Sequence, residues 1–353
     1  MSTPTTTRQW VLNKQIVGMP VLDGPDATFS LKTADLPPLK DNQVLLRVKF
    51  LSNDPAQRGW IAPQSSPDRL YVPPVEAGQT MRASASAIAE VVESKAASLA
   101  KGTLVQTFSA GWTEYAVADA AGLQVLQDIP GVSPTHYLGA LGLTGLTAYY
   151  GTKIIAEAKP EDVLVVSGAA GATGSMVVQI AKKLIGCKTV IGIAGSDAKC
   201  EWVKSLGADI CLNYKSPTFK SDLVAATPSY ANVYFDNVGG EILDFMLSRM
   251  AQEGRVALCG AISSYNETSG LQLKNWFDVI SMRLKLKGFI VLDWAQQGKA
   301  KESIGEIANA AKEGKIKISD EGETVVSTQF DDIPKTWMKL FDGSNTGKLV
   351  TKL

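Results

Sequence analysis

Gly168-Ala169-Ala170-Gly171-Ala172-Thr173-Gly174 follows the apolar run Val163-Leu164-Val165-Val166 and leads into Ser175 to Leu184, where Met176, Val177, Ile180, Ala181 and Leu184 recur at helical spacing. A buried strand, a glycine turn and a helix in that order give a dinucleotide-binding fingerprint its context. The first Gly of the usual Gly-x-Gly-x-x-Gly is Ala169 here, so the context carries more than the pattern. Low side-chain bulk at Gly171 and Gly174 allows close approach of a pyrophosphate, and the helix starting at Thr173 points its N–H groups at the anion. A tight strand-to-helix turn with no ligand is the alternative.

Outward from this turn, strand-like runs and helical patterns alternate. Thr189 to Ala194, Ile210 to Leu212, Val233 to Phe235, Val256 to Leu258 and Leu286 to Val291 read as further strands, with a helix beginning near Asp197. Together with Val163 to Val166 they predict a doubly wound, six-stranded α/β sheet. Upstream, from Gln43 to Val125, short apolar runs such as Val44-Leu45-Leu46-Arg47-Val48 and Ala87 to Val92 are broken by Pro37-Pro38, Pro73-Pro74 and Ser65-Ser66-Pro67, which is how a compact β-barrel reads. An apolar segment, Leu138 to Tyr150, marks the change of texture near Gly131. Ser303 to Lys312 reads as a helix, and Lys348 to Lys352 as a closing strand that rejoins the barrel. The expected division is 1–130, 131–300 and 301–353, the last returning to the first domain.

The 353 residues suffice for two cores, and 35 basic against 35 acidic side chains leave no charged surface to draw nucleic acid or anionic lipid. Cys187, Cys200, Cys211 and Cys259 lack a repeated spacing and read as reduced, buried thiols of a cytosolic protein. Met1 to Gln9 lacks a secretory apolar core, and no run approaches the roughly 18 apolar residues of a membrane span. The final Thr351-Lys352-Leu353 falls one residue short of a peroxisomal address and reads as a strand end, so the cytoplasm is the expected location.

The tip of the second strand, Ile193-Ala194-Gly195-Ser196, carries no Asp or Glu for a ribose 2′-hydroxyl; Asp197 opens the next helix and Lys199 lies one turn in. A cation and a small hydroxyl suit a 2′-phosphate, which a carboxylate would repel. NADPH is therefore the expected cofactor, with Lys199 as a solvated helix lysine the alternative.

These residues resemble the medium-chain dehydrogenase/reductases, in the zinc-independent branch of prostaglandin reductases, leukotriene B4 dehydrogenases and alkenal double-bond reductases. The markers span the chain: Asn53-Asp54-Pro55 with Arg58, Leu138 to Gly142 leading to Gly145 to Tyr149, Gly171 to Gly174, Gly195-Ser196 with Lys199, Asn213-Tyr214-Lys215, Asp236 to Gly240, Cys259 to Tyr265, and Asn345 before Gly347-Lys348. The resemblance implies a GroES-like β-barrel catalytic domain beside the Rossmann domain. It implies that Lys199 and Tyr214 hold the 2′-phosphate, that Asn237, the loop Cys259, Gly260, Ala261, Ile262, Ser263, Ser264 and Tyr265, and the strand Phe289, Ile290 and Val291 line the cofactor, and that Asn345 reaches the nicotinamide side. It also implies a homodimer joined through the edge of the last strand, Lys285 to Val291.

Zinc-dependent relatives need thiolate and imidazole ligands, whereas this chain has one histidine, His136, expected as a surface or helix-cap residue, and no cysteine in the barrel. The expected reaction is hydride transfer to the β-carbon of an α,β-unsaturated ketone or aldehyde. Tyr265 is the candidate donor to the developing enolate, and its alternative role is packing against the ribose. Trp60, Tyr71, Tyr149, Tyr150, Trp276 and Trp294 are candidates for an apolar substrate wall, although Ala56-Gln57-Arg58-Gly59-Trp60 and the Tyr71 to Met81 loop depart from mammalian and plant members. A quinone or secondary-alcohol oxidoreductase of the same fold, and a non-catalytic NADPH-binding protein, remain open alternatives.

Overall fold

The computed structural model describes residues 3–63, 66, 69–83, 86–127, 131–267 and 272–353. Ser65 and Pro67 of the expected loop, and residue 130 at the expected first boundary, lie outside them. The chain divides into two compact units, Met1–Leu138 with Glu323–Leu353, and Gly139–Gly322.

The first unit opens with the antiparallel pair β1 (Thr6–Leu12) and β2 (Phe29–Asp35). Next come β3 (Gln43–Ser52), the short helix α1 (Gln57–Trp60), β4 (Ala87–Ser94), β5 (Leu104–Thr107), β6 (Tyr115–Asp119) and β7 (Gln124–Val125). A 3-10 turn, Pro134–Leu138, closes this part. Its His136 is 2% exposed, which overturns the surface expectation: the turn packs on β3 and β4 and carries Thr135, His136 and Leu138 inward together.

The second unit alternates strand and helix: α2 (Leu143–Tyr149), β8 (Val163–Val166), α3 (Ala172–Gln179), β9 (Thr189–Ala194), α4 (Asp197–Ser205), β10 (Ile210–Asn213), α5 (Phe219–Ala226), β11 (Ala231–Asp236), α6 (Gly240–Leu247), β12 (Met250–Leu258), α7 (Trp276–Ser281), β13 (Lys285–Gly288), α8 (Val291–Gln296) and α9 (Ala300–Lys312). The strands lie parallel in the order β10-β9-β8-β11-β12-β13, the doubly wound topology expected from the sequence. Near-continuous apolar strands such as Val163-Leu164-Val165-Val166 suit this arrangement because helices cover both faces. Val165, Ile191, Tyr234 and Val256 lie in its core.

Three elements differ from expectation. The last strand stops at Gly288, so Phe289 and Ile290 form a link and Val291 begins α8. Phe289 turns out of the strand into an aromatic group, 6.0 Å from Phe235 and 5.6 Å from Tyr150, both near edge-on. After Gln179, α3 continues as a π-helical segment, Ile180–Ile185. Finally, α9 belongs to the second unit, which ends at Gly322 rather than 300. Glu306 of α9 explains this attachment, since it accepts Tyr149 Oη at 2.6 Å and pairs with Lys153 Nζ at 2.6 Å.

The chain then returns through β14 (Glu323–Ser327), α10 (Ile333–Asp342) and β15 (Lys348–Lys352). A proline in its first turn and Gly343 at φ +70° bound α10. β15 reaches the strand bounds expected and pairs with β3, completing the sheet order β14-β15-β3-β4-β5-β7, while β6 shares the same β3 edge as β15. Phe29, Trp112 and Trp337 meet at centroid distances of 5.3 to 6.0 Å within one hydrophobic core of this unit.

Candidate functional site: the carboxyl ends of the parallel strands

Ligands of doubly wound sheets bind outside the carboxyl ends of the strands, where the order reverses. Here β8 leads into Ser167 and the glycine turn, β9 into Gly195-Ser196, β11 into Asn237, and β12 into Cys259, so four of the expected segments share one edge. Asp236, 1% exposed, joins two of them. Its carboxylate accepts Ser167 Oγ at 3.0 Å, Tyr234 Oη at 2.7 Å, and the amides of Val238 and Gly239, while its carbonyl accepts Cys259 N and Gly260 N. Asn237 completes the tie, donating its side-chain amide to Ser167 O at 2.8 Å. Neither Asp236 nor Ser167 stood among the expected site residues; a polar pair at the ends of two apolar strands was the available signal.

The glycine turn divides its labour differently from expectation. Gly171 precedes α3, and the first intrahelical bond runs from Ser175 N to Gly171 O, so the amides of Ala172, Thr173 and Gly174 form the open first turn. A side chain at Gly174 would place its Cβ 2.2 Å from Gly168 O, so this glycine is required for helix-on-turn packing; at Gly171 the same oxygen is 3.2 Å away. Gly174 thus brings the helix in, and Gly171 keeps the approach narrow but open.

At the tip of β9, Ser196 caps α4 by accepting Lys199 N on its Oγ at 3.3 Å. Asp197, the nearest acid, is engaged by Asn213 Nδ2 at 2.9 Å. Tyr214, 45% exposed, covers Gly195 so closely that a Cβ there would lie 3.1 Å from its ring. Lys215 Nζ stands 5.9 Å from the Tyr214 ring centroid, placing a cation beside this corner. Lys215 stands in the Asn213-Tyr214-Lys215 marker, for which the resemblance implies a role only at Tyr214. Hydroxyls, cations and an acid already engaged make a donor set suited to a phosphate ester.

The Cys259 to Tyr265 segment lies along the turn after β11. Ile262 N bonds Asn237 O, Ser263 N and Oγ bond Val238 O, and Ser264 N and Oγ bond Ala261 O. Tyr265 Oη accepts Ala261 N at 3.2 Å, so the phenol is held at the loop mouth. Cys259 is partly exposed as a residue, yet burial around its sulfur pushes the thiol up to about 12, with Asp236 adding to the rise. It stays a neutral thiol at physiological pH.

In the first unit, the Asn53-Asp54-Pro55 and Arg58 markers prove architectural. Lys348, 2% exposed, bonds Asp54 Oδ1 at 2.6 Å and Asn53 O at 2.9 Å, while Asn53 Nδ2 bonds Thr351 Oγ1, fastening β15 to β3. Arg58 donates to Gly18 O and Ile16 O. Asn345 Nδ2 bonds Gly347 O at 3.0 Å in the turn before β15. Among the candidate wall residues, Tyr150 stacks on Trp294 at 4.9 Å, Tyr149 is buried, and Trp276 is 50% exposed.

Two family models match, one described as the N-terminal domain of oxidoreductase over residues 8–126, the other as zinc-binding dehydrogenase over 172–309. Prostaglandin reductase 1 of Bos taurus is 38% identical, over 98% of each chain. The NADPH-dependent curcumin reductase of Escherichia coli is 34% identical, over 98% of this chain and 96% of the relative. Among solved structures, CurA of Vibrio vulnificus in complex with NADPH is 33% identical, covers 98% of each chain and superposes with a TM-score of 0.85. The chain therefore belongs to the medium-chain dehydrogenase/reductases, in the zinc-independent prostaglandin reductase and alkenal reductase branch. Its single histidine lies in the first unit and its four cysteines in the second. Among the described residues, no helix is long and apolar enough to cross a membrane.

Proposed function

We propose that this chain is an NADPH-dependent reductase of the carbon–carbon double bond in α,β-unsaturated ketones or aldehydes. The observation that carries the reading is the tip of β9, where Ser196 caps the helix that carries Lys199, Tyr214 covers Gly195 with Lys215 beside it, and Asp197 is drawn to Asn213. A 2′-phosphate fits there better than a bare ribose diol, and the open amides of Ala172, Thr173 and Gly174 suit the pyrophosphate. Gly195, Asn237 and the Cys259 to Tyr265 loop would line the remainder, with Phe289, Ile290, Val291 and Asn345 as outer candidates. The names of the curcumin reductase and the CurA complex support the same cofactor.

When bound, the nicotinamide supplies a hydride, which adds to the β-carbon while the carbonyl oxygen takes up the electron pair as an enolate. Tyr265 donates its phenolic hydrogen bond to that oxygen, lowering the barrier most where water is excluded. A solvent proton then saturates the α-carbon, so one NADPH and one proton are consumed per double bond. The test is product analysis with an enone under NADPH, with NADH as control. A saturated ketone formed preferentially with NADPH is expected; an allylic alcohol, equal use of NADH, or no turnover with any enal, enone or quinone would overturn the proposal.

A homodimer in the cytoplasm completes it. The sheet ends at β13, and Phe277 and Ile280 near it are 72% and 62% exposed, an apolar edge that a second copy would cover. Light scattering that returned a monomer would remove this part. All four cysteines are free thiols, in keeping with a reducing compartment.

A further inference from the structure

Asp236, the last residue of β11, is 1% exposed, and its carboxylate faces four donors: the hydroxyls of Ser167 and Tyr234 and the amides of Val238 and Gly239. Donors on every side are the setting of an anion. Among the described residues no Lys or Arg pairs with it, so these dipoles take the place of the counter-ion that a buried charge ordinarily has. Dipoles solvate an anion without cancelling it, and its field reaches far in a low dielectric. Two neighbouring groups register that field. Burial pushes up both the Tyr234 phenol and the Cys259 thiol, and in each the charge of Asp236 adds to the rise, so both stay neutral and neither offsets the carboxylate.

The charge also lies close to the phenol assigned to the enolate. Three consecutive amides divide between Asp236 and Tyr265: Cys259 N and Gly260 N bond Asp236 O at 2.8 and 3.1 Å, and Ala261 N bonds Tyr265 Oη at 3.2 Å. We propose that Asp236 acts through the field of its buried carboxylate, which favours the oxidised coenzyme, whose nicotinamide ring is a cation, over the reduced one, whose ring is neutral. The proposal rests on the reductase reading above and deepens it. As the C–H bond of the reduced ring breaks, both electrons leave as hydride for the β-carbon, the ring becomes positive, and the enolate oxygen takes up the displaced pair. A fixed anion beneath the loop stabilises the positive charge, while Tyr265 meets the negative one until a solvent proton reaches the α-carbon. Asp236 is too buried to touch either reactant, which makes it a positioning residue.

The test is the pair of dissociation constants for NADP+ and NADPH, measured by calorimetry without turnover in the parent and in Asp236→Asn. Removing the charge is expected to weaken NADP+ about tenfold relative to NADPH, the size of effect that one charge has across a protein interior. Equal weakening of both coenzymes overturns the inference, because loss of the turn's hydrogen bonds alone would do the same; so does a ratio shifted toward NADP+. Should Asp236→Asn fail to fold, Tyr234→Phe decides. It keeps the charge and removes one of its donors, so the preference for NADP+ is expected to grow about threefold, and an unchanged or smaller preference counts against the proposal. Failure of the reductase reading would look different: the parent would bind neither coenzyme, or would bind both and leave every enone unreduced whatever their ratio.

Discussion

The Asn53 to Arg58 stretch and the Gly168 to Gly174 turn both stand out in the sequence as family markers, yet they act in opposite ways. In the first, the side chains are spent on the fold: Asp54 holds Lys348, Asn53 holds Thr351, and Arg58 holds the carbonyls of Ile16 and Gly18. In the second, side chains are nearly absent, and what remains is backbone whose first helical amides face outward. A motif rich in chemical groups can thus be structural, while one stripped of them makes the site, because buried polar groups must satisfy one another before they can serve a ligand.

The contrast breaks most visibly at Asp54. Asp54→Asn leaves the buried Lys348 ammonium without its counter-charge and is expected to cost about 3–5 kcal/mol in urea denaturation, with much of the loss recovered when Lys348→Met is added. If Asp54→Asn unfolds at the parent's midpoint, the architectural reading of that marker is wrong. Next in size, Gly174→Ala sets a methyl against Gly168 O and is expected to destabilise by about 3 kcal/mol, against less than about 1 kcal/mol for Gly171→Ala. Equal penalties at the two glycines would erase the division of labour assigned to them.

Two smaller effects sharpen the comparison on the site's side. Tyr265→Phe is expected to slow hydride transfer about a hundredfold, read as single-turnover NADPH oxidation, and a rate within a few-fold of the parent would remove the phenol from the mechanism. Lys199→Ala and Lys215→Ala should each weaken NADPH binding by roughly tenfold and leave NADH binding unchanged, as phosphate contacts do. Parallel losses for both coenzymes would place the lysines elsewhere on the cofactor.

The sequence determined the doubly wound sheet, the glycine turn with its helix, the missing acid at the tip of β9 and the closing strand Lys348–Lys352, because hydrophobic period and turn chemistry are local properties written residue by residue. Local pattern could not show that Phe289 leaves its strand for Phe235 and Tyr150, that α9 joins the second unit through Glu306, or that His136 is buried. Nor could it show Asp236 joining two loops, or Arg82 lying over Trp60. These were decided by contacts between residues far apart in the chain, where packing and the pairing of buried charge, rather than propensity, select the arrangement.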